Sequence, residues 1–272
     1  MMVMSSFTDT EKTPQAAWET RRLDRVLGVV RLDQLPVAVR VGCRVEERSV
    51  GVASAVQLDG HQRLLGAWLT APGCDDSTLW GRALGELRGR GALDAFVVSC
   101  SDRRWQPDAA RTAWPLAFVD TTVVALLRSA VGLATWQDRR RVLPMLRDVV
   151  TAVDEAALGA RVDAVEAAWG HRYAAVVARC RRGADGLRGL LAVDPALRQV
   201  MAASNGITHF EKDLRRAAKD TVLTGEHTSV RSLIAATGVN PQGELTSATQ
   251  GWNRALNALA LTQADRFCIV NG

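Results

Sequence analysis

The sequence predicts an α/β fold: a mixed sheet, built as an antiparallel meander plus parallel strands, with an all-helical insertion. Three observations predict it. Three β-like runs between Val29 and Leu69 are joined by short connections, as in a meander. A further apolar run, Asp94 to Asp102, comes after a helical stretch, as a strand returning to the sheet would. From Thr121 to about Gln199 the apolar spacing turns helical. With 272 residues, 47% of them hydrophobic, the chain can bury the core of one large domain or two small ones.

The elements follow in order. Residues up to about Gln15 are polar, with little apolar content, so 1–17 is expected to be a disordered leader. Ala16 to Val26 is a short helix candidate. Val29 to Val41 is dominated by β-branched and aliphatic residues and reads as the first strand. Ser49 to Leu58 is the second, Asp59-Gly60 a hairpin signal, and Arg63 to Leu69 the third. Asp75-Asp76-Ser77 can cap a helix whose inner face is Leu79, Trp80, Ala83, Leu84 and Leu87, ending at Gly89 to Gly91. The fourth strand, Asp94 to Asp102, comes next. Pro107 opens a helix that stops near Trp114-Pro115, and Leu116 to Val119 is the fifth strand. This order, β-β-β-α-β-α-β, is that of a ribonuclease-H-like fold. Residues 18–120 would form the first part of its core, 121–200 the helical insertion, and 201–272 the C-terminal helices completing it. Trp252 to Phe267 reads as one terminal amphipathic helix.

The chemistry starts from two acids. Asp33 stands inside an apolar strand, where a carboxylate is costly unless paired, hydrogen-bonded or on a metal. It could also cap the next turn. Asp102 ends the fourth strand. Two strands delivering carboxylates to one place suggest a metal site, and metal-assisted phosphoryl chemistry is one use of such a site. The charge balance is mildly basic, 34 Lys and Arg against 29 Asp and Glu, and only Lys12, Lys212 and Lys219 are lysines. This is compatible with nucleic acid and equally with codon usage. Arg103, Arg104, Arg139, Arg140, Arg141, Arg181 and Arg182 are candidate phosphate contacts or a solvated face. Five scattered cysteines without a CxxC read as reduced structural thiols. No window reaches the roughly 18 apolar residues of a membrane span, and the start has no signal-peptide core, so a cytoplasmic protein is expected. His61, His171 and His227 have no partners at useful spacing.

With both acidic strands in place, the chain resembles the catalytic part of the Mutator-type transposases of bacterial insertion sequences. The resemblance is carried by Arg22 to Val26 with Leu32-Asp33, by Leu58-Asp59-Gly60, by Leu65 to Leu69, and by Trp80, Leu84, Glu86-Leu87 and Gly91. It continues through Trp169-Gly170, Tyr173, Asn205, Ile207 and Leu214-Arg215 to Trp252, Ala255 to Asn257 and Asp265 to Phe267. It implies an Asp-Asp-Glu triad binding Mg²⁺ or Mn²⁺, and DNA as partner, both insertion-element ends and target. Nucleoid association is an expectation of this resemblance only. The implied chemistry is phosphodiester hydrolysis followed by strand transfer. Carried over by position, the acids are Asp33 and Asp102, the two expected metal ligands. Whether the chain associates with copies of itself stays open.

The chain departs from that pattern. The family's Asn-Ala-Ile-Glu is here Asn205-Gly206-Ile207-Thr208, and a threonine hydroxyl supplies no charge. Glu211 lies one turn on, and Asp213 is nearby. Either would have to shift by about 5 Å to substitute, so Glu211 is a weak replacement. Asp102 is followed by Arg103 rather than glycine, and Thr122 and Ala125 replace a Cys-x-x-His pair. Pro36 is expected to interrupt the first strand. His209, beside Thr208, reads as a solvent-facing helix residue. A family DNA-binding region would precede Trp18. The expectation is a truncated transposase copy of impaired activity; the alternative is a non-catalytic DNA-binding or dimerising remnant that interferes with an intact transposase.

Overall fold

The computed structural model describes residues 16–101, 104–203, 205–224, 227–246 and 249–271. At 203, 205–208, 227 and 268–271 this extends to the backbone only. Most of the expected leader, together with Asp102, Arg103, Gly225 and Glu226, lies outside the described residues.

A short helix α1 (Ala17–Thr20) leads to β1 (Val26–Val41), β2 (Arg44–Val56) and β3 (Gln62–Leu69). Then come α2 (Asp76–Gly89), β4 (Asp94–Cys100), α3 (Gln106–Ala113) and β5 (Phe118–Asp120). Five helices follow: α4 (Val123–Gly132), α5 (Trp136–Val150), α6 (Glu155–Trp169), α7 (Ala174–Arg188) and α8 (Pro195–Ala203). The chain continues through α9 (Asn205–Asp220), β6 (Val222–Leu223), α10 (His227–Ala235), β7 (Glu244–Thr246), α11 (Trp252–Thr262) and α12 (Ala264–Asn271).

The sheet is mixed, ordered β5-β4-β1-β2-β3-β7, with β6 also on β1. β1, β2 and β3 form the antiparallel meander, and β4 runs parallel to β1 and β5 to β4. On one face lie α2 and α3, closing a cluster around Leu27, Leu32, Trp80, Leu84 and Trp114. Asp75 caps α2 as expected, its carboxylate accepting the Thr78 N–H at 2.9 Å. The other face carries α4 to α8 and α11. The helical stretch shares one apolar cluster with the sheet, running from Leu126, Leu146 and Val165 into Val29, Val56, Phe96 and Trp252. Trp252 presses on two glycines. A Cβ on Gly28 would stand 2.3 Å from its ring, and Gly60 makes the turn between β2 and β3 at φ +81° beneath it.

Several expectations are corrected. The first strand begins at Val26, because Val26 pairs with Asp94 and is drawn from helix into sheet. Pro36 does not interrupt β1; it pairs with Ser49 in continuous register. β1 leaves β4 after Leu32 and meets β6 only at Ala38, so the missing donor falls where one edge is unpaired. The terminal helix is two, broken at Gln263 (φ −137°, ψ 34°), which turns Arg266 back onto β4. β6 and β7, two and three residues long, extend a sheet that the C-terminal part was not expected to join.

Candidate functional site

Side chains alternate along β1, so Asp33 and Gln34 face opposite sides of the sheet. Gln34 accepts the Trp80 indole N–H at 2.8 Å and donates to Asp76 at 2.6 Å, which closes the α2 face. Arg31 and Asp33 point the other way, on either side of the point where β1 leaves β4. That is the crevice beyond the carboxyl end of a parallel strand, where sites of α/β folds form.

Two helices complete the site. α9 anchors Phe210 and Leu214 against Leu35, Val37 and Val39 of β1. Glu211 and Arg215, next to those anchors, therefore ride beside Asp33. α4 buries Val123, Leu126, Leu127 and Ala130 and projects its single charge, Arg128, toward β1. Arg128 donates to Asp33 Oδ1 at 3.2 Å and to Glu211 Oε2 at 2.9 Å. Arg215 donates to Asp33 Oδ2 at 2.6 Å, and Arg31 Nε lies 3.1 Å from Glu211 Oε1. At the end of β4 the Ser101 N–H bonds the Leu32 carbonyl at 3.0 Å, and its hydroxyl donates to Asp33.

Burial by itself would raise the Asp33 pKa. The guanidinium groups of Arg128 and Arg215, the Ser101 hydroxyl and the Gln34 N–H outweigh it and hold the carboxyl below its usual range. Burial lowers Arg128, and the two carboxylates more than restore it, leaving it raised. The pair is ionised at neutral pH.

The site opens into a cavity of about 570 Å³ between β1, α4, α5, α8 and α9. Eight of its fifteen lining residues are basic, among them Arg139, Arg147, Lys212, Arg216 and Lys219, and Glu211 is the one acid. Such a concave, cationic wall suits phosphate oxygens.

Of the sequence-predicted residues, Asp33 and Glu211 are brought together through Arg128. Asp213 pairs instead with Arg216 at 2.8 Å. Thr208 lies in the first turn of α9, its side chain outside the described residues, and His209 is exposed. Arg181 pairs with Glu166 on the bundle's outer surface, and Arg139 lines the cavity. Sequence reasoning missed Arg31, Arg128 and Arg215 as site residues; the signal available for Arg128 was one cation in an otherwise uncharged helix.

As they are paired here, the two described acids do not fit a divalent metal. All four carboxylate oxygens face a guanidinium nitrogen, whereas a hard cation needs those oxygens for itself. Among the described residues no three His, Cys, Asp or Glu side chains gather as ligands would.

Residues 2–248 match the family model for transposases of the Mutator family. The chain belongs to the Mutator transposase family. A probable transposase for an insertion sequence element from Corynebacterium diphtheriae is 31% identical over 97% of this chain and 82% of its own length. The transposase for insertion sequence element ISRM3 of Rhizobium meliloti (strain 1021) is 28% identical, and a probable ISRM3-like transposase of Sinorhizobium fredii 27%. This Mutator-family chain spans 97% of itself but 66% of the length of each of the latter two. No helix among its described residues is long and apolar enough to cross a membrane.

Several residues that carried the resemblance hold the fold. Trp68 donates to Glu86 at 2.7 Å, Trp169 packs on Tyr173 at 5.8 Å between ring centres, and Phe267 packs on Phe96 at 5.0 Å.

Proposed function

We propose that this chain acts on DNA in the transposition of an insertion element, and that its strand cleavage is impaired. The observation that carries the reading is the cavity beside Asp33 and Glu211, with its eight cationic side chains. Neighbouring phosphates of a backbone could be met there by Arg139 and Arg147 on one wall and Arg216 and Lys219 on the other. The fold we assign is ribonuclease-H-like; a sheet with three antiparallel strands followed by two parallel ones on the far edge of β1 supports it. Residues 18–120 and 201–272 then form its core and 121–200 the insertion. DNA as partner follows from the family, with element ends and target as the two substrates.

Cleavage of a phosphodiester in this family would call on Asp33, Asp102 and a third acid with Mg²⁺ or Mn²⁺. Thr208 at the third position and the arginine pairing of Asp33 speak for impairment. The same pairing favours a second reading, a DNA-binding relative that occupies element ends without cutting them. A strand-cleavage assay with Mg²⁺ and with Mn²⁺, run beside a duplex-binding assay, tests both. Salt-sensitive duplex binding without cleavage is expected. Cleavage that disappears in Asp102→Ala overturns the impairment, and a flat salt response removes the phosphate-binding cavity.

A further inference from the structure

We propose that Arg128 takes the place of a divalent cation at this site: its guanidinium bridges Asp33 and Glu211 and excludes metal for as long as it stays there. The inference deepens the reading above, since it rests on the same cavity.

A metal bridging two carboxylates draws one oxygen from each. Arg128 draws those same interactions, at 3.2 Å from Asp33 Oδ1 and 2.9 Å from Glu211 Oε2. The remaining oxygens face cations as well: Arg215 donates to Asp33 Oδ2 at 2.6 Å, and Arg31 Nε lies at ion-pair distance from Glu211 Oε1, 3.1 Å away, without hydrogen-bond geometry. Charge points the same way. Three guanidinium groups meet the two described carboxylates. A divalent ion arriving here gains no excess negative charge to bind and meets three fixed cations.

The bridge is removable. The Arg128 side chain is 39% exposed, with the open cavity beside it, while Asp33 is 5% exposed and fixed from behind by Ser101. Glu211 rides on α9 next to the buried anchor Phe210, so it keeps its position when the arginine goes. Glu211 stands where the chain has an acid one turn beyond Thr208. Without Arg128, the two carboxylates would present free oxygens to the cavity from two directions.

The test is Mn²⁺ titrated into the full chain and followed by electron paramagnetic resonance, where bound Mn²⁺ loses the signal of the free ion. The unaltered chain is expected to leave that signal unchanged up to about 1 mM Mn²⁺, the weak end of carboxylate sites. Arg128→Gln is expected to bind Mn²⁺ at least tenfold more tightly, and Arg128→Lys, which keeps a cation, is not. Arg128→Met repeats the comparison if circular dichroism shows that the glutamine variant fails to fold. Stoichiometric Mn²⁺ binding by the unaltered chain overturns the proposal, as does the absence of any gain in a folded Arg128 variant. Duplex binding measured in EDTA reports on the functional reading by itself, so the two can fail separately.

Discussion

Asp94 and Asp33 stand on neighbouring strands, both buried and both paired with arginine. Asp94 meets Arg266 in a fork, at 2.9 Å and 2.7 Å, and the same guanidinium bonds the Leu116 and Ala95 carbonyls and lies over the Phe96 ring. One arginine, 10% exposed, gives three bonds to the start of β4 and two more to Leu116 and Gln263. Asp33 shares itself between two arginines, 39% and 35% exposed, each giving it one bond from a different helix. The fork is a strut, closed to water and to ligands. The shared pair borders a cavity, and either arginine can turn away without opening the core. Pairing alone therefore does not separate a structural acid from a functional one; the exposure of the partner does.

The largest effect should come from the strut. Arg266→Ala leaves a buried carboxylate unpaired and should cost about 3–5 kcal/mol, read as a lowered Tm by circular dichroism. If the loss is below that of Asp33→Asn, the contrast between the two sites is wrong. Asp33→Asn should cost about 1–2 kcal/mol, because Arg128 and Arg215 can rehydrate in the cavity.

That variant also carries a pH signature. The folded Asp33 carboxyl lies below its ordinary value, so its stabilisation is complete above the unfolded value of about 3.9 and is lost as pH falls through the folded one. Denaturation midpoints for Asp33→Asn should run flatter than those of the unaltered chain below about pH 4 and parallel to them above it. A difference in slope near neutrality would assign the acid limb to another group.

The smallest effects concern binding. Arg216→Gln removes one cavity cation that is 72% exposed, and should lower the salt dependence of duplex binding by about one ion. Arg111→Gln removes an exposed cation from α3, on the opposite face of the sheet, and should leave the slope alone. Equal changes would place the DNA surface elsewhere.

The core of this architecture was legible because its signals are local. The Asp59-Gly60 turn, the Asp75 cap and the inner face of α2 are each written within a few residues, and the order of elements along the chain follows from such signals. β6 and β7 were not legible, since two or three residues establish no alternation. The break at Gln263 was missed because the force that makes it, Arg266 reaching Asp94, spans 172 residues of sequence. The site divides in the same way. Asp33 announces itself as an acid in an apolar strand. Its partners stand 95 and 182 residues away, and no spacing rule connects them.

Trp252 ties the end of the chain to its beginning, its indole donating to the Leu58 carbonyl across 194 residues while its ring covers Gly28 and Gly60. During synthesis the β1–β3 meander leaves the ribosome long before that ring exists. At roughly 5–20 residues per second the uncovered patch waits about ten to forty seconds for its lid. The nascent meander is then the stretch most in need of a chaperone, and slower translation through the helical middle would prolong its exposure.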